Sequence, residues 1–163
     1  MSKILITGGL GYIGTALTNL YLNNLEDEIT IIDKKRDPLR ENQLQNNNIE
    51  FIEIDILNKK ELRKIVSNSN IIYHLAGVTD VPRLKNDNVD MKNEEIYQIG
   101  VNGTRNILET ASRDAKIIFP STHVVFEGLE KVKLEISEEE STQPLLTYAE
   151  TKVTNENEIK DSD

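Results

Sequence analysis

"ILITGGLGYIGTAL", residues 4–17, sets four glycines within seven residues between an apolar run and the start of a helical pattern. An apolar run that ends in a glycine-rich turn and passes straight into a helix reads as a strand–turn–helix unit. Such a turn aims the helix N-terminus, with its unpaired N–H groups and positive dipole end, at whatever lies beyond the carboxyl end of the strand. That is an anion site. Gly8, Gly11 and Gly14 are spaced by three, and Gly9, Gly11 and Gly14 also fit G-x-G-x-x-G. The pattern predicts a tight turn at Gly8 and Gly9, backbone approach to a pyrophosphate at Gly11 and close helix–strand packing at Gly14.

Working outward, short apolar runs alternate with segments of helical period, the pattern of parallel βαβ units. Strands are expected at 3–7, 28–33, 50–54, 71–75 and 116–121. Ile13, Leu17, Leu20 and Tyr21 recur at i, i+4, i+7 and i+8, which predicts one helix face packed on the sheet. Further helices are expected at 59–67 and 90–113, a short irregular one at 38–45, and a last one from Thr147. Residues 46–48, all asparagine, and the charged stretch 127–143 read as loops. The fold class expected is therefore α/β, a Rossmann-type doubly wound parallel sheet, in one domain over residues 1–163.

Composition narrows the function classes. The 163 residues carry a formal charge of −9, which argues against non-specific nucleic-acid binding and against anionic membranes, since both need basic patches. There is no cysteine, hence no disulfide framework and no thiolate metal site. No apolar run approaches the length of a membrane span, and the strand beginning at Lys3 leaves no room for a leader, so a cytoplasmic protein is expected.

The second strand ends in Asp33, nineteen residues after Gly14, where a carboxylate would accept hydrogen bonds from an adenosine ribose. The same charge would repel a 2′-phosphate, so NAD is favoured over NADP. Lys34, Lys35 and Arg36 follow at once and could instead pair with such a phosphate, which keeps NADP open as the lesser alternative.

"TGGLGYIG" at 7–14, "HLAG" at 74–77, "VNGT" at 101–104, "PST" at 120–122 and "YAETK" at 148–152 together resemble the extended short-chain dehydrogenases/reductases, the NAD-dependent epimerase/dehydratase family acting mostly on nucleotide sugars. The motifs stand in the family's order. The resemblance implies that Gly8, Gly11, Tyr12, Ile13 and Gly14 cradle the cofactor, that Asp55 and Ile56 flank its adenine, and that Leu75, Ala76 and Gly77 line its cleft; His74 is expected to be structural.

Removing a hydride from a sugar carbinol requires the hydroxyl to lose its proton near neutral pH, whereas a free tyrosine has a pKa of about 10. Tyr148 and Lys152 are four apart and share a helix face, so the lysine ammonium would favour the phenolate. The resemblance gives Lys152 a second role on the nicotinamide ribose. Thr122 would hold the substrate oxygen, with Ser121 as the fallback, and Glu156 reads as structural.

The chain also departs from the family. Gly100 stands where an asparagine is usual before "VxGT", and "VVFEG" at 124–128 replaces the commoner "VYG". His123 and Val124 stand where a dehydratase-type subgroup has an Asp–Glu pair, which argues against sugar 4,6-dehydration. The resemblance implies a considerably longer chain, with a further sheet strand and a smaller substrate-binding domain beyond Asp163. The leading expectation is an NAD-dependent oxidoreductase or epimerase acting on a nucleotide sugar. A catalytically silent NAD-binding module and a reductase of a small carbonyl compound are the alternatives. An open sheet edge would favour a homo-oligomer.

Overall fold

The computed structural model describes residues 1–22, 26–45, 48–79, 89–131, 133 and 135–162. In chain order the elements are β1 (Lys3–Thr7), α1 (Tyr12–Tyr21), β2 (Glu28–Asp33), α2 (Pro38–Gln43), β3 (Ile49–Glu53), α3 (Lys59–Val66), β4 (Ile71–His74), α4 (Val89–Tyr97), a π-helical segment (Gln98–Asn102), α5 (Gly103–Thr110), β5 (Lys116–Ile118), a 3-10 turn (His123–Phe126) and α6 (Thr147–Lys160). All strands pair in parallel in a five-stranded sheet of order β3-β2-β1-β4-β5. The order reverses at β1, so β2 and β4 diverge on either side of it and open a crevice at their carboxyl ends.

Because successive strand residues face opposite sides, β1 feeds two cores. Leu5 joins Ile32, Ile72, Leu62 of α3 and Ile107 of α5 on one face, all fully buried. Ile4 and Ile6 join Ile29, Ile31 and Leu44 on the other. Both faces are covered, as an all-parallel sheet requires. Asp37 caps α2 by accepting from Leu39 N and Arg40 N, and Asn58 caps α3 by accepting from Glu61 N.

The expected α1 face is corrected. Leu17 and Tyr21 pack on the sheet, but Ile13 is 60% and Leu20 77% exposed, and the buried residues are Gly14 and Thr18. Close approach of α1 needs small residues at the contact, while Tyr21 reaches the sheet through a 2.7 Å hydroxyl contact with Tyr73. The helix expected at 90–113 is interrupted at Gln98–Asn102 and ends at Thr110. The Gly100 carbonyl there accepts from Thr104 Oγ1 at 2.6 Å and from Asn155 Nδ2 at 3.0 Å, groups that compete with the regular ladder. β5 stops at Ile118 instead of continuing to 121, since Pro120 has no N–H to donate to a ladder. β4 ends at His74, one residue early, and β3 runs one residue earlier than expected. The stretch 127–143 forms no helix or strand among its described residues, and its ends are pinned by Gly128 N to Gln143 O and Gln143 N to Val125 O. Of the asparagine loop, residues 46 and 47 lie outside the described residues. Among the described residues no helix is long and apolar enough to cross a membrane.

Candidate cofactor and active site

The glycine turn is built as its spacing requires. Gly8 has φ +63°, and a Cβ there would lie 2.8 Å from the backbone of Ala76. Any side chain at that position is both strained and blocked. Gly11 N donates to Gly8 O at 2.9 Å, closing the turn, and Gly11 starts α1 with no side-chain cap. The first amides of α1 therefore point into the crevice without a side chain in front of them. Gly14 is tight for a different reason than expected: a Cβ there would sit 2.5 Å from Gly9 Cα and 2.7 Å from Gly8 O, so the helix packs on the turn itself.

Beyond this turn two adjoining cavities share Gly8, Gly11 and Leu75 to Val78 as their common wall. One, of about 330 Å³, lies towards β2 and is bounded by Asp33, Lys34, Asp55 and Ile56. The other, of about 430 Å³, lies towards α6 and is bounded by Tyr12, Ile13, Gly14, Ser121, Tyr148 and Lys152. Every residue expected to touch a cofactor thus lines one continuous cleft. Asp33 Oδ2 accepts from Leu10 N at 3.1 Å and Oδ1 from Lys34 N at 2.8 Å, which fixes the carboxylate at the end of β2. Lys34 is paired with Asp55 at 3.2 Å, Arg36 with Glu41, and Arg40 with Asp37 at 3.4 Å and with the Leu10 carbonyl.

At the α6 end, Lys152 Nζ donates to Pro120 O at 2.9 Å and lies 4.2 Å from the Phe119 ring centroid and 5.7 Å from that of Tyr148. Burial pushes its ammonium down from 10.5 to about 8, against the opposing pull of Glu156. The Tyr148 phenol is pushed up by burial, and a hydrogen bond with Thr122 pulls the other way. Thr122 lines a neighbouring cavity of about 680 Å³ with Phe119, Val125 and Phe126; its Oγ1 also accepts from Val124 N at 3.3 Å and caps the 3-10 turn. The Ser121 hydroxyl is already donated to the Glu156 carboxylate.

Several cleft residues escaped the sequence reading. Phe119 and Asn155 line the α6 side, beside Gly100, Thr104 and Thr151 from stretches the sequence had singled out, and Glu95 and Ile99 line the β2 side. Asn155 follows Lys152 by three and so shares its face, a signal the spacing carried; for Glu95 there was none, because α4 reaches the cleft only through the fold. Among the described residues no group of three or more His, Asp or Glu could hold a metal ion.

The sequence matches the 3-beta hydroxysteroid dehydrogenase/isomerase family over residues 5–163. It is 31% identical over 140 residues to the CDP-paratose 2-epimerase of Salmonella typhi, covering 80% of this chain and 40% of that protein. It is 30% identical over 126 residues to the UDP-N-acetyl-alpha-D-glucosaminuronate decarboxylase of Bacillus cytotoxicus, covering 76% and 37%. The fold matches that of the UDP-glucuronic acid 4-epimerase from Bacillus cereus in complex with NAD, with TM-score 0.79, 26% identity and coverage of 98% of this chain and 52% of that one. It also matches the UDP-Glc/GlcNAc 4-epimerase of Campylobacter jejuni, with TM-score 0.85, 25% identity and coverage of 99% and 49%. The chain spans about half the length of these solved relatives and less than half of the curated ones. With the glycine turn, the crevice beside β1 and the ordered motifs all in place, the chain belongs to the 3-beta hydroxysteroid dehydrogenase/isomerase family, and its resemblance to the NAD-dependent epimerase/dehydratase proteins holds in sequence and in fold.

Proposed function

We propose that this cleft binds NAD and that Tyr148 acts there as the base for oxidation of a nucleotide-sugar carbinol. The observation that carries the reading is the continuity of the cleft from Asp33, over the uncapped start of α1, to Tyr148 and Lys152. The residues fit the dinucleotide. A Cβ at Gly11 would meet only Gly8 O, at 3.0 Å, so the remaining space above the turn is open to a pyrophosphate on the α1 amides. Asp33, at the end of β2, would receive the adenosine ribose hydroxyls. Lys34 and Arg36, two of the three cations that could pair with a 2′-phosphate, already have acidic partners, as has Arg40, which with the Asp33 charge supports NAD over NADP.

NAD held by these residues would supply the hydride acceptor. Tyr148 takes the carbinol hydroxyl proton as the carbon gives up its hydride, leaving a ketone. Thr122 favours the phenolate through its hydrogen bond and would hold the substrate oxygen from the neighbouring cavity; Ser121 lines the cleft itself, but its hydroxyl is engaged by Glu156. Lys152 contributes positive charge beside the phenol ring and donors for a ribose hydroxyl. Return of the hydride to the opposite face would give epimerisation. Similarity to the nucleotide-sugar enzymes supports the substrate class.

A second reading, an NAD-binding module without turnover, is favoured by one observation: burial holds the Tyr148 phenol up, against ionisation. The two part on one experiment. UDP- and CDP-sugars are added to the protein with NAD, and reduced nicotinamide is followed by absorbance in the parent and in Tyr148→Phe. The proposal predicts reduction in the parent, none in the variant, and equal NAD binding in both. Reduction that survives in the variant refutes the base role, and NAD binding with no reduction by any sugar nucleotide leaves the module.

A further inference from the structure

Thr7, His74 and Thr104 are buried polar side chains, at most 2% exposed, that no step above uses. Their hydrogen-bond directions follow from counting protons. Thr104 Oγ1 donates its one proton to Gly100 O at 2.6 Å. The 3.0 Å contact between Thr104 Oγ1 and His74 Nε2 is therefore donated by the ring. A neutral imidazole has one N–H, so Nδ1 is an acceptor and takes the Thr7 hydroxyl proton at 2.7 Å. Thr7 Oγ1 in turn accepts from Ala76 N at 3.1 Å, while the Thr7 carbonyl holds Leu75 N at 3.2 Å. Every donor points the same way, from the Ala76 amide to the Gly100 carbonyl, where Asn155 Nδ2 of α6 arrives from the opposite side at 3.0 Å.

The two ends of this line are the two walls of the cleft. Ala76 is the backbone against which Gly8 is packed, and Asn155 lies one turn beyond Lys152 on α6. Asn155 is 2% exposed, and among the described residues its Oδ1 has no hydrogen-bond partner while its Nδ2 donates to the Gly100 carbonyl. Position 100 has room for this because it is glycine: a Cβ would come within 3.1 Å of Thr151 Oγ1.

We propose that Thr7, His74 and Thr104 are positioning residues: their one-way line of hydrogen bonds, ending on Gly100 and Asn155, sets the glycine turn and the loop after β4 in register with the helix that carries Tyr148 and Lys152. The coupling is a property of the chain alone and goes beyond the dinucleotide reading, so it stands or falls separately from it. A purely structural role for the same side chains would hold the core together without linking the two walls.

The test has two parts. Nitrogen-15 NMR of the unaltered protein should show His74 as the Nε2–H tautomer; the Nδ1–H tautomer would overturn the directionality whatever the variants do. Hydrogen exchange at the Ala76 amide is then measured relative to the Ile72 amide of β4, the strand that precedes it. Thr104→Val should raise that ratio about threefold or more, because each bond in such a line strengthens its neighbours. Thr110→Val is the control, since it removes another buried hydroxyl of α5 that donates to Asn106 O, off the line. It should leave the ratio unchanged. Equal ratios in the two variants would show that Thr104 only stabilises the core, and the proposal would fail.

Discussion

Replacing His74 with asparagine should flatten the acid side of the protein's stability curve, and the size of the effect can be worked from burial. The ring is fully buried, and burial, with the nearby Lys152 charge adding to it, pushes its pKa from 6.5 down to about 3. An unfolded chain takes up a proton on this residue near pH 6.5; the folded chain does so only near 3. Between those values the unfolded state binds more protons, so stability rises with pH and is lost progressively as the pH falls from 6.5 towards 3. At pH 4.5 the gap of two units costs about 3 kcal/mol. Against a total of about 5–15 kcal/mol for a typical protein, that is a large share. The asparagine variant starts from a lower stability at pH 7, having lost contacts with Thr7 and Thr104, but carries no such dependence. Urea unfolding at pH 7 and pH 4.5 separates the two effects. The parent should lose about 3 kcal/mol more than the variant over that interval. Equal losses would refute the reasoning, because a ring that protonates as freely in the folded state as in the unfolded one cannot be the buried, neutral group described.

The remaining predictions concern the cleft. Gly14→Ala should destabilise the protein by about 1–3 kcal/mol in urea unfolding, since the new Cβ meets backbone atoms that have no freedom to move, whereas Gly77→Ala, with nothing within 4 Å, should be close to neutral. Lys152→Met should stabilise the protein by about 1–3 kcal/mol at pH 7, because burying the ammonium costs more than its contacts return. That gain should shrink as the pH rises from 8 to 10.5, where the folded lysine has lost its proton and the unfolded one has not; a gain independent of pH in thermal melts would contradict the cause given. Asp33→Asn should narrow the difference between NAD and NADP affinity measured by calorimetry, and an unchanged ratio would remove Asp33 from cofactor selection.

What the sequence disclosed was what short-range chemistry decides. The turn at Gly8, the start of α1 and the place of Asp33 are written within 30 residues, and each holds as spaced. The loop residues Leu75 to Gly77 and the pair Tyr148 and Lys152 were legible through ordered motifs, and the sheet brings them onto one cleft. The α1 face was misjudged because periodicity weighs apolarity, whereas contact with the turn selects small size, so Gly14 and Thr18 go in and Ile13 and Leu20 stay out. The break at Gln98–Asn102 was illegible for another reason: besides the nearby Thr104 hydroxyl, the group that competes for the Gly100 carbonyl is Asn155, 55 residues away. Separations of 67 and 30 residues likewise hid the hydrogen-bond partners of His74. Its burial was foreseen, but the identity of its partners, Thr7 and Thr104, depends on how β1, β4 and α5 are brought together.

Calorimetric titration of the 163-residue protein with NAD and then NADP asks whether the glycine turn and Asp33 form an NAD site. NAD should bind saturably at one site per chain, NADP should bind markedly more weakly, and the NAD signal should be lost in Gly14→Ala. NADP binding as tight as NAD would contradict the role given to Asp33, and heat signals for neither dinucleotide would contradict the cleft as a cofactor site.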